Sequence, residues 1–285
     1  MLNDDFAIFI CTHGRPDKQT TYDSLKKSGY TGKVYMVVDD TDSTIEQYVD
    51  NYGADMLIVF NKQYYIDNCD VGSRPPNFKT ILYAKNAVED IASDFGLRAF
   101  VIADDDISLF RLRAPKDDES LYSANVQDMD IVVSEYCKFM VEQDFAALGF
   151  GHFAVYFNGA RAFDSKMLLD CRVPYNFVFR NTKYHMDWVS SFGEDIITAM
   201  NYNKIGYRML DIPYVRFETV PPSKATSGGM VEVYKSVSDY KLCFYNLMYN
   251  PSGIKLRMRN GIWNAQIQRA SSFPMIVSDK YRKES

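Results

Sequence analysis

Three consecutive carboxylates, Asp104, Asp105 and Asp106, directly follow the apolar residues 101–103. Adjacent like charges destabilise a fold unless a counter-charge offsets their repulsion. Carboxylates at the end of a strand suit a hard divalent cation such as Mg²⁺ or Mn²⁺, which prefers oxygen ligands and often shares them with substrate phosphates. A solvated acidic turn is the other interpretation, as for most aspartate runs. The apolar strand that runs straight into the three acids favours the metal site.

Strand geometry divides the three acids between two sides. Side chains alternate along an extended backbone, so Asp104 and Asp106 are expected to point one way and Asp105 the other. Asp104 and Asp106 are therefore predicted to hold the metal. A cation there would offset the repulsion, bind a diphosphate and act as a Lewis acid on a leaving group.

The segments around this motif predict an α/β fold. Apolar runs bounded by Gly, Pro and polar residues predict strands, and periodic apolar residues predict helices between them. The predicted strands are residues 6–12, 33–40, 54–60, 98–106, 146–163 (several short strands) and 207–218. The predicted helices are residues 16–30, 44–53, 78–96 (capped by Asn77 after Pro75-Pro76), 128–143 and 193–206. Alternation over the first hundred residues indicates a mostly parallel sheet covered by helices, with ligands bound beyond the carboxyl ends of the strands.

Charge is distributed unevenly along the 285 residues. The formal net charge is −5, which argues against a protein that coats nucleic acid indiscriminately. Residues 251–285 contain seven Lys or Arg and two acids, so this segment is +5 and the remainder is −10. Such a tail suits DNA phosphates, although a basic tail is more often a solvated terminus. The Pro/Ser/Gly-rich stretch 220–230 before it is predicted to be a mobile loop.

The cysteines and apolar runs bear on the compartment. Five scattered cysteines without a CxxC pair indicate reduced thiols in a cytosolic setting rather than a disulfide framework. The N-terminal apolar run is too short, and too acidic at its start, for a signal peptide. No stretch approaches the roughly 20 apolar residues of a membrane span. A cytoplasmic protein is expected.

The order of these features resembles the nucleotide-sugar glycosyltransferases of the GT-A architecture. In that family the first strand runs into a nucleotide-contacting loop, and the second ends in an acid that reads the base or ribose. An Ala-Arg-Asn-like helix motif, a DxD motif and a later acidic pair follow. The matching segments here are CTHGRP (11–16), VVDD with Asp39 or Asp40, AKNA with Lys85 in place of Arg, Asp104–Asp106, and FGEDIITAM with Glu194 and Asp195. One departure is that no His follows His185, whereas many GT-A enzymes use a late His as a metal ligand.

Within that fold, the stretch THGRPDKQTTYDSLKKSGYTGKVY together with VVDD is most similar to the phage glycosyltransferases that decorate hypermodified DNA bases, the TET-associated glycosyltransferases. This resemblance implies a Rossmann-type GT-A domain over residues 1–219, with a nucleotide-binding half (1–110) and an acceptor half (111–219). A loop and basic extension (220–285) would follow it. It implies Mn²⁺ or Mg²⁺, a UDP-sugar donor, and transfer to a 5-hydroxymethylpyrimidine, foremost 5-hydroxymethylcytosine, of phage DNA in the host cytoplasm.

The resemblance also implies roles for individual residues. Asp195 is the preferred catalytic base, with Glu194 close behind, although either could simply be an acid favoured at a helix start. The nucleotide-binding candidates are Thr12, His13, Arg15, Asp39, Asp40, Lys85, Asp104 and Asp105. Arg15 and Lys85 could instead be ordinary surface cations, and His13 could cap a turn. Trp188, just before the acidic pair, could stack on a sugar or base, but core packing is the commoner role of such a residue.

Two other functions fit the same residues. A glycosyltransferase of this fold could act on a glycan, lipid or protein, and salt-sensitive binding to modified DNA would separate that case. A non-catalytic sugar-nucleotide or DNA-binding module would show no turnover and no metal effect on donor binding. The sugar, the anomeric outcome and the oligomeric state stay open at this level.

Overall fold

The computed structural model describes residues 5–72, 79–116, 120–151, 160, 163, 173–219 and 237–268. Within them a nine-stranded sheet has the order β3-β2-β1-β4-β8-β7-β9-β5-β6. Its strands are β1 Phe6–Cys11, β2 Val34–Asp39, β3 Leu57–Phe60, β4 Ala99–Asp104, β5 Ile107–Pro115, β6 Leu121–Asn125, β7 Ala147–Gly151, β8 Phe177–Asn181 and β9 Met209–Thr219. Strands β10 Ile254–Arg259 and β11 Ile262–Ile267 form a separate antiparallel hairpin.

Helices cover both faces of the large sheet. They are α1 Thr20–Lys27, α2 Ile45–Tyr52, α3 Lys62–Asn68, α4 Leu82–Asp94, α5 Met129–Glu142, α6 Glu194–Lys204 and α7 Asp239–Tyr249. Strand β1 alternates between two cores, because Phe6, Ile8 and Ile10 pack towards α1 and α5. Residues 7, 9 and 11 pack towards α4 and α6. Burial on both faces accounts for the uninterrupted apolar run, as in strands of a covered parallel sheet.

Pairing within the sheet changes from one half to the other. Strands β3, β2, β1 and β4 are parallel neighbours, so all four carboxyl ends lie at one edge. Beyond β4 the pairs are antiparallel except β7 with β9. The predicted α/β class and the parallel first half are confirmed. The irregular second half joins the same sheet.

Several element boundaries differ from the sequence prediction. Helix α1 begins at Thr20 rather than near Pro16, because residues 12–19 form a loop. Residues 54–56 form a 3₁₀ turn before β3. Helix α3, strands β5, β6 and β8, helix α7 and the β10–β11 hairpin were not predicted from the sequence. Pro75, Pro76, the proposed cap Asn77, the loop 220–230 and the four cations after residue 268 lie outside the described residues.

The first part of the basic tail is folded against the domain. Ile254 packs with Met200 of α6, and Leu256, Ala265 and Ile267 join the same apolar cluster. On α7, the ring of Tyr245 packs against Phe192, with centroids 5.0 Å apart. The segment 237–268 is therefore attached to the helix that begins with the acidic pair.

Candidate active site

The sequence-predicted site residues gather at the edge where β1, β2 and β4 end. Cys11 and Asp104 are in register as the last residues of β1 and β4. The loops that follow β1, β2 and β4 therefore meet at this edge, and α4 and α6 contribute Lys85 and the acidic pair from one face of the sheet.

Thr12 and Arg15, after β1, bind the middle aspartate of the DxD motif. Thr12 Oγ1 donates to Asp105 Oδ2 at 2.8 Å, and Arg15 Nη1 donates to Asp105 Oδ1 at 2.8 Å. The Tyr48 hydroxyl accepts from the Arg15 backbone N–H at 2.9 Å and lies 3.0 Å from Thr12 Oγ1. Gln19 donates to both Thr12 Oγ1 and the Arg15 carbonyl. Asp105 thus anchors the loop, and the Arg15 guanidinium is held beside it.

Asp39 and Asp40 have different environments. Asp39 is buried, and its Oδ2 lies 2.8 Å from His13 Nδ1 and 3.2 Å from Lys62 Nζ. Burial alone would raise the pKa of Asp39, but hydrogen bonds from His13 and Thr41 hold it below its ordinary value. The bond to Asp39 in turn raises the pKa of His13. Asp40 is exposed, and its side chain accepts a hydrogen bond from the Lys62 backbone N–H at 3.1 Å. Of these two acids, Asp39 is therefore the one that holds His13 of the loop after β1 in place.

Lys85 lies at the centre of the acidic residues. Its side chain is only 3% exposed, and its Nζ is 2.9 Å from Glu194 Oε1 and 2.5 Å from Asp195 Oδ1. Burial alone would lower the pKa of Lys85, but Asp195, Glu194 and Asp104 together raise it well above the ordinary value. The surface-cation interpretation of Lys85 is wrong, since AKNA lies on the buried face of α4.

Asp104 is held at the end of β4 by Asn176. Its backbone N–H donates to the Asn176 carbonyl at 2.8 Å, and its Oδ2 accepts from Asn176 Nδ2 at 2.5 Å. Burial raises the pKa of Asp104 well above its ordinary value. Lys85 lowers it in part, while the charges of Asp195, Asp106 and Glu194 raise it further. This corner holds more carboxylates than cations.

The alternation expected over residues 104–106 does not hold, because β4 ends at Asp104. Asp105 and Asp106 form the turn into β5. Asp105 nevertheless differs from Asp104 in its partners, because it binds Thr12 and Arg15 whereas Asp104 binds Asn176. Asp106 stays close enough to Asp104 for its charge to raise the pKa of that residue. A turn, rather than a continuous strand, brings these two acids together.

The donor set at this corner fits a hard divalent cation. Asp106 Oδ1 is buried without a hydrogen-bond partner among the described residues. Burial raises the pKa of Asp106 to about 6, with Asp105 adding to the effect. Among the described residues no cluster of three or more His, Cys, Asp or Glu is arranged as a metal centre. The arrangement fits a cation that takes one or two carboxylates and completes its shell with substrate phosphates and water.

Helix α6 presents the acidic pair at its first turn. The preceding Gly193 has φ +66°, and a Cβ on it would lie 2.7 Å from Asn246 Oδ1 of α7. Close approach and positive φ both require glycine here. Of the two acids, the Asp195 side chain is 24% exposed and that of Glu194 is 13% exposed. Burial raises the pKa of Asp195 to about 6, Lys85 lowers it in part and Glu194 adds to it.

Trp188 is a core residue. It is buried, its Nε1 donates to Glu89 Oε1 at 3.1 Å, and its backbone exchanges two hydrogen bonds with the Asn86 amide. Lys85 Nζ lies 4.6 Å from the centroid of its ring. The geometry fits packing and a cation–π contact to Lys85, not stacking on a ligand.

Several residues at this edge were not predicted to be site residues. They are Gln19, Asp42, Tyr48, Lys62 and Asn176. Asn176 offers a signal in hindsight, since asparagine tolerates its φ of 57° immediately before a strand. Tyr48 lies in the predicted helix 44–53, where nothing in the sequence marks it as a site residue. Lys62 belongs to an unpredicted helix, so its contact with Asp39 had no sequence signal.

With this geometry in place, comparison with known families identifies the class of protein. The model of the TET-associated glycosyltransferases matches residues 6–217. The chain therefore belongs to this family and is a glycosyltransferase of GT-A-like α/β fold. The matched range runs from the first residue of β1 almost to the end of β9, and it includes all the candidate site residues.

Several solved structures match the chain at low sequence identity. Glucosyl-3-phosphoglycerate synthase from Mycobacterium tuberculosis, crystallised with Mg²⁺ and uridine diphosphate, is 9% identical with a TM-score of 0.46, covering 93% of this chain and 87% of that one. TarS residues 1–349 from S. aureus are 15% identical with a TM-score of 0.42, covering 74% of this chain. This chain spans 59% of that TarS fragment. A putative nucleotide-diphospho-sugar transferase from Desulfovibrio desulfuricans is 10% identical with a TM-score of 0.40, covering 73% and 80% of the two chains. No curated protein matches the sequence.

Among the described residues, no helix combines the length and apolar character needed to span a bilayer. The four cysteines that the structure describes, Cys11, Cys69, Cys137 and Cys243, are free thiols.

Proposed function

We propose that this glycosyltransferase uses a divalent metal ion to transfer a sugar from a nucleotide-sugar, with UDP the foremost nucleotide, to the hydroxyl of a 5-hydroxymethylpyrimidine in phage DNA. 5-Hydroxymethylcytosine is the preferred acceptor base, and the host cytoplasm is where the enzyme would meet it. The observation that carries the proposal is the buried Lys85 between Asp104 and the acidic pair, within a chain matched to the TET-associated family.

The donor nucleotide is assigned to the loop after β1. Arg15, His13 and Lys62 are cations or potential cations around Asp39 and Asp105, at the edge where ligands of parallel sheets bind. Asp39 is the candidate contact to the ribose or base. The His13 side chain, half exposed, and the Arg15 side chain, one-fifth exposed, remain accessible to a nucleotide.

Asp104 and Asp106 would hold the metal ion. When bound, Mg²⁺ or Mn²⁺ supplies charge neutralisation for the departing diphosphate. The chain's own residues orient these acids, since Asn176 fixes Asp104 and Arg15 fixes Asp105 next to it. Three neighbouring aspartates would otherwise create an excess of negative charge. Arg15 offsets it at Asp105, and Lys85 offsets it at Asp104.

Asp195 is the proposed base. Its carboxylate accepts the proton of the acceptor hydroxyl while the hydroxyl oxygen forms its bond to the anomeric carbon. The bond between that carbon and the diphosphate oxygen breaks, and the diphosphate leaves with the electron pair. Lys85 holds Asp195 and Glu194 in place through hydrogen bonds. Direct attack assisted by a base entails inversion at the anomeric carbon.

A donor screen tests the function. Wild-type protein is incubated with Mn²⁺, a panel of nucleotide-sugars and duplex DNA that contains 5-hydroxymethylcytosine, and the digested nucleosides are analysed by mass spectrometry. The expected result is a nucleoside heavier by one sugar residue, absent with unmodified cytosine and absent for Asp104→Ala. If no donor adds a sugar to this DNA while a glycan, lipid or protein acceptor is modified, the assignment of the acceptor is wrong.

A further inference from the structure

The β10–β11 hairpin has two chemically different faces. Its strands pair from Ile254 with Ile267 to Arg259 with Ile262, around the turn residues Asn260 and Gly261. Positive φ at both turn residues, 51° and 77°, is typical of the tight turns that join twisted antiparallel strands. Because side chains alternate along each strand, directly opposed residues share a face.

The inner face is apolar and packs on the domain. Leu256 lies opposite Ala265, and both join the cluster of Met200 and Ile254. Backbone and side-chain contacts fix the base of this unit, since Lys204 of α6 donates to Asn250 Oδ1 at 2.7 Å. The hairpin is therefore a docked ribbon whose other face is turned to solvent.

Apart from Ile262, the outer face carries side chains with hydrogen-bond donors. Lys255 lies opposite Gln266, Arg257 opposite Asn264 and Arg259 opposite Ile262. All three cations are exposed, and they form no ion pair with any part of the chain that the structure describes. Residues 254–268 contain no Asp or Glu, in a protein whose net charge is −5. This concentration of positive charge is opposite in sign to the rest of the chain.

The shape and chemistry of this ribbon fit duplex DNA. The major groove of B-DNA admits a two-stranded β-ribbon, and Arg, Lys, Asn and Gln are the side chains that bind phosphates and base edges there. Alternate residues of an antiparallel strand are about 6.8 Å apart, so the cations form an evenly spaced row along the ribbon. A continuous apolar groove or a mixed-charge face would suit a protein partner better than this acid-free row does.

The ribbon is also placed next to the reaction. Its inner face packs on α6, whose first turn carries Asp195, and α7 abuts Gly193 at the start of that helix. A substituent on pyrimidine C5 projects into the major groove, as the thymine methyl does. A protein that modifies this substituent needs a contact to the same groove.

We propose that the outer face of the β10–β11 hairpin, formed by Lys255, Arg257, Arg259, Asn264 and Gln266, binds duplex DNA in the major groove and positions it for transfer. The inference rests on the proposed function, because it makes this face the docking surface for the acceptor. It adds the protein surface that binds the acceptor and the DNA groove that this surface enters. The proposed function by itself defines only the donor site and the catalytic base Asp195.

Direct DNA binding tests the proposal independently of catalysis. Anisotropy of a fluorescein-labelled duplex with 5-hydroxymethylcytosine is measured over a salt series for wild type and for Arg257→Gln/Arg259→Gln. The matched control is Lys27→Gln/Lys138→Gln, which removes two exposed cations from α1 and α5 on the opposite face of the sheet. The hairpin variant should bind at least about tenfold more weakly, with the slope of log K against log salt smaller by about 2, because each lost phosphate contact removes about 0.9. The control should bind within twofold of wild type.

The outcomes distinguish failure of the hairpin proposal from failure of the proposed function. Absence of wild-type binding at 50 mM salt, equal weakening of both variants, or equal affinity for single-stranded DNA would overturn the hairpin proposal. Thermal midpoints equal to wild type establish that the exposed substitutions leave the fold intact. Nucleoside mass spectrometry on the same duplex then reports on the acceptor. DNA that is bound through the hairpin but never gains a sugar refutes the proposed function and leaves the binding surface in place.

Discussion

Two buried cations, Arg180 bound to Glu89 of α4 and Lys85 on α4 itself, differ in how their charge is balanced. Arg180 of β8 is fully buried, and its Nε donates to Glu89 Oε1 at 2.7 Å and its Nη2 to Glu89 Oε2 at 3.1 Å. The backbone carbonyls of Ala146 and Tyr184 accept its remaining hydrogen bonds. Lys85, four residues before Glu89 on α4, instead faces Asp104, Glu194 and Asp195. The first is one cation with one acid, and the second is one cation among three acids.

Trp188 separates these two regions. Its indole N–H donates to Glu89, while its ring lies under Lys85. The buried pair of Arg180 and Glu89 holds β8 against α4. Its charges cancel one to one, and its hydrogen-bonding groups are engaged within the protein, so it does not attract a ligand. An excess of carboxylates is costly unless a cation or a proton joins them, and such an imbalance is typical of sites that bind or react. Charge balance therefore separates the structural cluster from the candidate active site more clearly than burial does.

The largest expected effect concerns Asp104. Replacing Asp104 by Asn keeps its shape and its Asn176 contact in part, but removes a charge that the metal ion requires. We expect transfer to fall by more than about 10³-fold, equal to several kcal/mol of lost stabilisation at the departing diphosphate. The measurement is initial rate with saturating Mn²⁺, and Asp94→Asn on the exposed end of α4 is the control. Activity near that of wild type in Asp104→Asn would place the metal elsewhere.

A pair of isosteric substitutions tests the comparison itself. Glu89→Gln leaves Arg180 buried without its counter-charge, and arginine cannot give up its proton, so unfolding free energy should fall by about 3 to 5 kcal/mol. Glu194→Gln leaves Lys85 with Asp195 and Asp104, so its effect on stability should stay below about 1 kcal/mol. Urea unfolding of the two variants measures both. Equal losses would show that the two cations are balanced alike.

The acidic pair can be resolved by activity. Asp195→Asn should lower kcat by about 10²-fold or more, within the range for loss of a general base, while Glu194→Gln should lower it less than about tenfold. The reason is that Asp195 is the more exposed of the two and is accessible to an acceptor. Steady-state kinetics at saturating donor distinguish them. The reverse order of effects would assign the base to Glu194.

The same comparison explains what the sequence predicts and what it does not. Local patterns were enough for the parallel strands, because β1, β2 and β4 are apolar runs buried on both faces and each is followed by polar loops. The strand pattern also put Asp104 at this edge, whereas Lys85 and the acidic pair were assigned to the site by the family resemblance. The unpredicted parts depend on long-range contacts. Arg180 and Glu89 are 91 residues apart, and Asn176 lies 72 residues from Asp104, so neither pairing leaves a local signal.

The basic tail shows a related limit. The composition shows the positive charge of this tail. Its fold depends instead on the Asn-Gly turn at residues 260–261, which lies between two short runs of alternating apolar and polar residues. Such a turn is a strong hairpin signal, and a count of charges does not detect it. Likewise, the assumption of a continuous strand through Asp106 failed because the backbone turns after Asp104. Sequence patterns thus gave the residue types of the site, whereas turns and distant partners determine its geometry.

The smallest predicted effect is in pH dependence, and it follows from the excess of acids around Lys85. Burial raises the pKa of Asp195 to about 6, with Lys85 opposing and Glu194 adding to the shift. A base must be ionised to accept a proton, so kcat/KM should rise with pH, about tenfold per unit below pH 6, and level off above it. Asp195→Asn should lose this limb, whereas Glu89→Gln, which alters only the structural cluster, should keep it in the protein that remains folded. A wild-type profile of kcat/KM that is flat from about pH 5 to 7 would mean that Asp195 does not act as the base. The excess of acids around Lys85 would then serve only to bind the metal ion and the diphosphate.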